Sequence, residues 1–245
     1  MFSVVEPRRL YRLAAEQMRT LIETGEFPVG SRLPAERDLA ELLGVSRPTV
    51  REALIVLEVE GFITIRMGSG VYVTSRKAPA ATAVLDSEGP FELLRARSLV
   101  ECAIAEQAAA LVRPDHITAL NENIAMMAKS LDNRPEALKH DREFHALIAG
   151  IIGNSTLERL VRELHDLRLT RYFEKLAGYF ENHDTWMTAL NEHRAVRDAL
   201  AAGDPTAARD AMRIHLELAQ RRLSESFGGE SDWLTLEERR HAQAP

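Results

Sequence analysis

The sequence predicts a mainly α-helical protein with two domains, a small N-terminal module and a larger antiparallel helical bundle. Three observations predict this fold class. Three helical patterns and one strand–turn–strand pattern occupy residues 10–73, a proline and small residues break every period in residues 77–89, and little strand signal follows residue 90. We assign a first domain, a linker, a second domain and a flexible tail to residues 1–76, 77–89, 90–227 and 228–245.

The first domain begins with two predicted helices. Apolar residues recur at helical spacing from Leu10 to Thr24, and this amphipathic helix is expected to pack beneath the third helix. A short second helix is predicted from Ala35 to Leu43. It ends at Gly44, because glycine readily adopts the left-handed conformation that follows many helices.

A third helix and a hairpin complete the domain. Ser46 is placed to cap the helix, whose apolar spacing continues to about Glu60. Alternating residues after Gly61 predict two short strands, with a turn at residues 68–70 between them. Two helices joined by a tight turn and followed by a hairpin are typical of a winged helix-turn-helix, whose second helix enters the major groove of DNA.

Polar residues at the start of the third helix fit a DNA interface. Arg47, Thr49 and Arg51 lie where base edges would be met, and arginine can bind guanine with two donors. Arg37 could reach a base or a phosphate, and Gly68 would let the hairpin turn approach the minor groove or a phosphate. The alternative is an ordinary solvated surface, but the adjacent hairpin favours DNA binding.

The net charge of −6 is low for a nucleic-acid-binding protein, and it is unevenly distributed. Residues 1–77 hold 11 Lys/Arg and 10 Asp/Glu, a net charge of +1, whereas the remainder holds 20 and 27, a net charge of −7. Specificity would therefore come from individually placed arginines rather than from bulk charge.

Three features indicate a cytoplasmic protein without a membrane partner. There is no apolar run of the ~18 residues that a membrane-spanning helix needs, and the N-terminus lacks a signal-peptide pattern. The single cysteine, Cys102, cannot form an intrachain disulfide and is expected in the core.

The second domain is predicted to contain six or seven helices arranged as an antiparallel bundle. A capping box formed by Ser155 and Glu158 is expected to open the fourth helix of this domain. The predicted helices run from Phe91 to Val112, Pro114 to about Leu131, Pro135 to about Gly150, Ser155 onward, about Asp184 to Ala202, and Pro205 to about Phe227.

Four residues of the bundle are spaced as metal ligands. Asp141 and His145 are four residues apart and therefore share one face of a helix. His193 and His215 lie ten and eleven residues from a predicted turn at residues 203–204. In an antiparallel helix pair both would be about 15 Å from that turn, so they can face each other.

Three imidazoles and a carboxylate suit Zn²⁺, Ni²⁺, Mn²⁺ or Fe²⁺, with positions left for water or a ligand. The alternatives are ordinary core histidines, a purely structural metal site, and a metal-dependent enzyme that activates water. We expect no enzyme, because the sequence shows no nucleophile–base arrangement and no phosphate-binding loop.

The segment PAERDLAELLGVSRPTVREAL, at residues 34–54, resembles the signature of the GntR family of bacterial transcription regulators. The resemblance covers about residues 5–75, and Met67 stands where relatives often carry a basic or polar residue. It implies operator contacts at Arg37, Arg47, Thr49, Arg51 and Gly68.

The second domain resembles the FCD effector domain of the FadR-type branch of that family, over about residues 90–225. The resemblance implies a metal ion that helps to hold a small carboxylate effector, with the ligands Asp141, His145, His193 and His215. It also implies that Arg97 faces the pocket, where its guanidinium could bind the carboxylate with two hydrogen bonds. The alternative for Arg97 is a surface salt bridge with Glu101.

Two segments, PFELLRARSLVECAIAEQAA and DREFHALIAGIIGNSTLERL, are similar to the hexuronate-operon repressors, which respond to glucuronate, galacturonate or related sugar acids. The similarity implies a homodimeric repressor that a small carboxylate effector releases from a palindromic, double-stranded operator. Another carboxylate, such as a dicarboxylate or a hydroxy acid, and activation instead of repression are the alternatives.

Overall fold

The computed structural model describes residues 10–66, 68–76 and 89–226, with the backbone alone for 224–226. The chain divides between Gly89 and Pro90 into two compact units. The domain boundaries stay predictions, because most of the predicted linker and the predicted tail lie outside the described residues, as does Met67.

The N-terminal unit is a winged helix-turn-helix, as predicted. Its elements are α1 (Leu10–Thr24), α2 (Glu36–Leu43), α3 (Arg47–Val59), β1 (Ile63–Arg66) and β2 (Gly70–Val73). The two strands are antiparallel, with Ile63 opposite Val73 and Arg66 opposite Gly70. This hairpin is the wing.

Two residues shape the tight turn between α2 and α3. Gly44 adopts a left-handed φ of 65° at the end of α2, and the Ser46 side chain accepts a hydrogen bond from the Thr49 amide at the start of α3. α1 packs against α3, as predicted, and Val50 and Leu54 of α3 are fully buried there. The turn therefore leaves the first residues of α3 at the surface.

Seven α-helices and one short 3-10 turn form the described part of the second unit. The helices are α4 (Pro90–Ala109), α5 (Pro114–Ala128), α6 (Arg134–Ile151), α7 (Ser155–Asp166), α8 (Arg171–Ala177), α9 (His183–Ala201) and α10 (Pro205–Ser226). The 3-10 turn, Leu167–Leu169, lies between α7 and α8.

The N-cap of α7 differs from the prediction. Asn154, not Ser155, precedes the first helical residue, and its side-chain oxygen accepts hydrogen bonds from the amides of Thr156 and Leu157 at 3.0 and 3.3 Å. Ser155 already lies inside the helix, so the predicted capping box is wrong. The short amide side chain at 154 reaches two of the unpaired N–H groups by itself.

Helix α8 was not predicted as a separate element. It has only seven residues, which is too short for a helical period to stand out in the sequence. Tertiary contacts stabilise it, because Tyr172, Phe173 and Leu176 are buried.

The core of the second unit lies between α4, α5, α6, α9 and α10. Phe144, Ile148, Leu120 and Met127 are completely buried within it. Cys102 is half-buried at its edge and packs against the core. The inward faces of α6, α9 and α10 also carry the polar residues described next.

A candidate metal centre and a candidate DNA interface

The structure brings the four predicted ligands together in the interior of the helical unit. Asp141, His145, His193 and His215 are each no more than 3% exposed. One ligand atom from each lies within 4.8 Å of the others, so the group could hold a metal ion. The ring centroids of His193 and His215 are 4.7 Å apart, and the ring centroid of His145 lies 5.3 and 5.2 Å from theirs.

Helix geometry explains how the four residues meet. Asp141 and His145 are one turn apart on α6, with both side chains turned inward. The chain reverses between α9 and α10 at Gly203, which adopts a left-handed φ of 64°. His193 and His215 are therefore at matching heights on two packed helices, as the spacing predicted.

Carboxylates orient two of the three imidazoles. Nδ1 of His215 donates to Oε2 of Glu192 at 2.8 Å, and Nδ1 of His145 contacts Oε2 of Glu101. A proton held at Nδ1 leaves the lone pair of Nε2 free to bind an ion. Arg222 in turn donates to Glu192 at 3.0 Å.

His193 supplies the clearest sign that this cluster suits a cation. Its Nε2 is buried and has no hydrogen-bond donor in the described structure, and it lies 3.3 Å from Oδ1 of Asp141. A ring lone pair beside a carboxylate oxygen is unfavourable unless a proton or a cation lies between them. The residues present therefore fit a divalent metal ion that prefers nitrogen and oxygen ligands.

The protonation states also fit metal binding. Burial lowers the pKa of His145 well below its usual value and lowers that of His215 to about 4, so both rings are neutral at pH 7. Burial by itself would raise the pKa of Asp141, but the charge of Arg168, which donates a hydrogen bond to Oδ2 of Asp141, holds it well below its usual value. Neutral imidazoles and an ionised carboxylate are the forms that bind metals.

Two further residues of the cluster were missed at the sequence level. Glu101 on α4 and His165 on α7 are 2% and 1% exposed. Nε2 of His165 is 3.4 Å from Oε1 of Glu101, and its Nδ1 is 3.6 Å from Oδ2 of Asp141. The helical spacing of Val161 and His165 was a usable signal for an inward-facing histidine, whereas nothing local predicted the burial of Glu101.

Arg97 is buried, with 2% of its surface exposed, and it does pair with Glu101. Its Nε donates to Oε1 of Glu101 at 2.7 Å, and its Nη2 lies 3.5 Å from Nε2 of His145. The salt bridge considered for this residue therefore forms, but inside the protein and next to the cluster rather than at the surface.

A pocket leads to this cluster within the helical unit. Its empty volume is about 770 Å³, including the open solvent at its mouth, and Asp141 and His215 lie in its lining. The other charged lining residues are Arg97, Arg134, Arg168, Arg222 and Glu181. All four guanidinium groups are ion-paired with carboxylates, so the pocket offers fixed N–H donors to a polar ligand of modest size, and the positive charge that attracts an acid group would come from a bound metal ion.

The predicted DNA-binding residues lie at the start of α3, on α2 and at the wing turn. Arg47 is exposed and makes no hydrogen bond or ion pair with another described residue, and the Arg37 side chain is 78% exposed. The Thr49 hydroxyl is 2.8 Å from that of Ser46. Gly68 is exposed and has a positive φ of 70°.

Arg51 differs from the other two arginines. Its side chain is only 18% exposed, and its Nε donates to Oε1 of Glu36 at 2.6 Å. This ion pair joins the start of α2 to α3, and it holds the guanidinium in one orientation.

Among the described residues, no helix combines the length and the apolar character needed to cross a membrane.

Comparison with known proteins identifies both units. The family described as "Bacterial regulatory proteins, gntR family" matches residues 10–73, and the FCD domain matches residues 92–218. The Exu regulon transcriptional regulator of Escherichia coli (strain K12) is 39% identical over 227 residues, covering 87% of this chain and 84% of that protein. The Uxu operon transcriptional regulator of the same strain is 34% identical over 233 residues, covering 92% and 91%.

A solved structure supports the fold. The structure titled "E. coli McbR/YncC" aligns over 93% of this chain and 100% of its own, with a TM-score of 0.50 and 19% identity.

Proposed function

Because the chain belongs to the gntR family of bacterial regulatory proteins and carries an FCD domain, we propose that it represses a hexuronate operon. The protein is a ligand-responsive, DNA-binding transcription regulator. In this proposal a sugar acid binds at a metal site in the helical unit and releases the protein from a palindromic operator. The observation that carries it is the buried Asp141–His145–His193–His215 cluster beside an arginine-lined pocket.

The winged unit would read the operator through its exposed polar residues. Arg47 and Thr49 would meet base edges in the major groove, where an arginine fork can bind guanine O6 and N7. Arg37 would contact a base or a phosphate, and the backbone at Gly68 would approach the minor groove. Arg51, held by Glu36, would present a fixed guanidinium to the DNA.

The helical unit would hold one divalent ion through Asp141, His145, His193 and His215. Zn²⁺ is our first choice, and Ni²⁺, Mn²⁺ or Fe²⁺ also suit three imidazoles and a carboxylate. When bound, the ion would supply a Lewis-acidic positive charge that attracts an acid group. The role of Glu101 and Glu192 would be to keep the ring protons on Nδ1 and the rings in place.

Arg97 would bind the carboxylate of the effector. Its guanidinium is buried beside His145 and lines the pocket, so an acid group entering the pocket meets donors in a water-poor setting. The similarity to the Exu and Uxu regulators leads us to expect a hexuronate there. A hydroxy acid or a dicarboxylate is the alternative.

We further propose that the protein acts as a homodimer in the cytoplasm. A palindromic operator has two-fold symmetry, so two copies of α3 would occupy its two half-sites. The effector would lower operator affinity only if it binds better to the pose of the two recognition helices that does not fit DNA. Reversal of this preference would make the same protein an activator.

A titration tests the proposal. The purified protein, metal-loaded and after chelation, is titrated with galacturonate, glucuronate and dicarboxylates, while heat release and operator binding are recorded together. We expect a hexuronate to bind only the metal-loaded form and to weaken operator binding. If metal binds and no carboxylate does, the cluster is structural and the proposed effector class is wrong.

A further inference from the structure

The pocket has a second charged group beyond the four proposed ligands, formed by Arg134, Arg168 and Glu181, and Arg168 connects it to Asp141 of the cluster. Arg134 Nε donates to Glu181 Oε2 at 2.8 Å, and Arg168 Nη2 lies 3.4 Å from Glu181 Oε1. The Glu181 side chain is only 8% exposed, and all three residues line the pocket. We call these three residues the distal triad.

The positive charges of the distal triad are already matched. Arg168 Nη1 donates to Oδ2 of Asp141 at 2.5 Å, while Arg134 and Arg168 share Glu181. Two guanidinium groups therefore face two carboxylates. A second carboxylate of a ligand would find no uncompensated positive charge there, and it would have no proton to offer Glu181.

A hydroxyl group meets different conditions at the same place. It can donate its proton to the Glu181 carboxylate and accept a hydrogen bond from a guanidinium N–H, because a hydroxyl is both donor and acceptor. Hydrogen bonds to charged groups are also the stronger ones. A chain of hydroxylated carbons can therefore satisfy the distal triad without adding charge.

Aromatic residues lie in the same pocket. Phe173, Phe180 and Trp186 are in its lining, and they offer apolar faces to the C–H groups between hydroxyls. The indole N–H of Trp186 is buried and makes no hydrogen bond in the described structure. A hydroxyl oxygen of a ligand is the kind of acceptor that would satisfy this donor.

We propose that Glu181, held by Arg134 and Arg168, selects a polyhydroxylated monocarboxylate over a dicarboxylate. The inference rests on the proposed function, because it places the acid group of the effector at Arg97 and the metal cluster. The Glu181 carboxylate accepts effector hydroxyls, and it neutralises the guanidinium groups that a second acid group would need. The distal triad thus narrows the effector class to sugar acids.

The test compares metal-loaded wild-type protein with Glu181→Gln by calorimetric titration of the full chain. The probes are galacturonate and adipate, a six-carbon dicarboxylate without hydroxyl groups. We expect the substitution to weaken galacturonate binding about ten- to a hundredfold, as the loss of a hydrogen bond to a charged group predicts. Adipate binding should strengthen in the variant, and metal affinity should stay within about twofold, since Glu181 is not among the proposed ligands.

Glu163→Gln is the matched control. Glu163 lies on α7, its side chain is 64% exposed, and it pairs with Arg159 at the surface. This variant should bind both probes like the wild type. Thermal unfolding of all three proteins shows whether each is folded.

The outcomes separate the two proposals. If wild-type protein binds no sugar acid when metal-loaded, the proposed function itself fails. If it binds galacturonate and Glu181→Gln binds it equally well, only the role of Glu181 is overturned. If Glu181→Gln fails to fold, the wild-type protein still tests the proposal. Equal affinities of the wild type for adipate and galacturonate would refute selection of a sugar acid over a dicarboxylate.

Discussion

At the scale of single residues, two buried carboxylates orient histidines of the proposed metal site. Glu101 and Glu192 are buried carboxylates that contact Nδ1 of His145 and His215. Each fixes a ring orientation and leaves Nε2 without a proton. The histidines would be weak ligands if their rings could turn, so these carboxylates should control metal affinity.

Glu192→Gln tests this control of metal affinity. We expect metal binding to weaken about 10–100-fold, because His215 loses a charged acceptor for its Nδ1 proton. Competition with a chromophoric chelator measures the change. Glu217→Gln on α10, the helix that carries His215, is the control, since Glu217 is 56% exposed and pairs with Arg213. Equal metal affinities in all three proteins would refute the orienting role.

The buried imidazoles should make the metal-free protein sensitive to acid. Burial lowers the pKa of His215 from 6.5 to about 4 and that of His145 well below 6.5. The unfolded chain therefore binds more protons between these pKa values, and stability falls as the pH falls. Above pH 6.5 both rings are neutral in the folded and the unfolded protein, and the free energy of unfolding does not depend on their titration. Between pH 6.5 and pH 4 the free energy of unfolding falls by up to about 1.4 kcal/mol per pH unit and group.

Urea unfolding of chelated protein at several pH values between 7.5 and 5 measures this effect. The His215→Gln variant should show a shallower decline, because one of the two titrating groups is absent. The pKa values of Asp141 and Glu101 are well below the usual carboxylate values. Their protonation therefore lowers the stability of the folded protein only at pH values below the range of this experiment. A stability that does not change from pH 7.5 to 5 would contradict the prediction.

Arg47 is the residue whose loss should most directly affect DNA recognition, because no described neighbour holds it. Arg47→Ala should weaken operator binding by about 1–3 kcal/mol, the range for one good bidentate base contact. Fluorescence anisotropy with operator and scrambled duplexes measures the loss. Arg159→Ala, at a 67% exposed position in the helical unit, should bind the operator normally. An Arg47→Ala variant that keeps wild-type affinity would remove this residue from the interface.

At the scale of elements, local sequence predicted the regular segments well and their junctions less well. The patterns of α1, α3 and α10 were long enough to reveal both period and ends. At α7 the spacing of Ser155 and Glu158 predicted a capping box, whereas the neighbouring Asn154 caps the helix. The seven residues of α8 depend on burial of their aromatic side chains, which only the folded unit reveals.

The N-cap of α7 can be tested by a pair of substitutions. Asn154→Ala should lower the free energy of unfolding by about 1 kcal/mol, because two helix N–H groups lose their acceptor. Ser155→Ala should change it by much less, since Ser155 lies inside the helix. Denaturant unfolding followed by circular dichroism measures both. A larger loss in Ser155→Ala than in Asn154→Ala would instead identify Ser155 as the residue that caps α7.

At the scale of the whole molecule, metal and effector binding should be coupled to the stability of the helical unit. The proposed ligands come from α6, α9 and α10, so an ion would link α6 to the consecutive helices α9 and α10. Their core residues surround the cluster, and opening the bundle would destroy the site.

Metal addition should therefore stabilise the protein. At a free metal concentration about 100 times the dissociation constant, we expect about 2.7 kcal/mol of added stability if the unfolded chain does not bind the ion. Differential scanning calorimetry with and without a chelator measures it. His193→Ala should show no such gain. Identical transitions with and without metal in the wild type would contradict the coupling.

The sequence by itself determined the two-domain, mainly helical architecture and the candidate ligands. Asp141 and His145 share a helix face, and the turn at Gly203 places His193 and His215 at matching heights, so helix geometry and spacing were sufficient. Only the tertiary structure decided the surroundings of these residues. Glu101, His165, Arg168 and Glu181 come from other segments of the chain, and their roles depend on burial and on distances across the fold. Local patterns specify which face of a helix is buried, whereas long-range packing decides what that face meets.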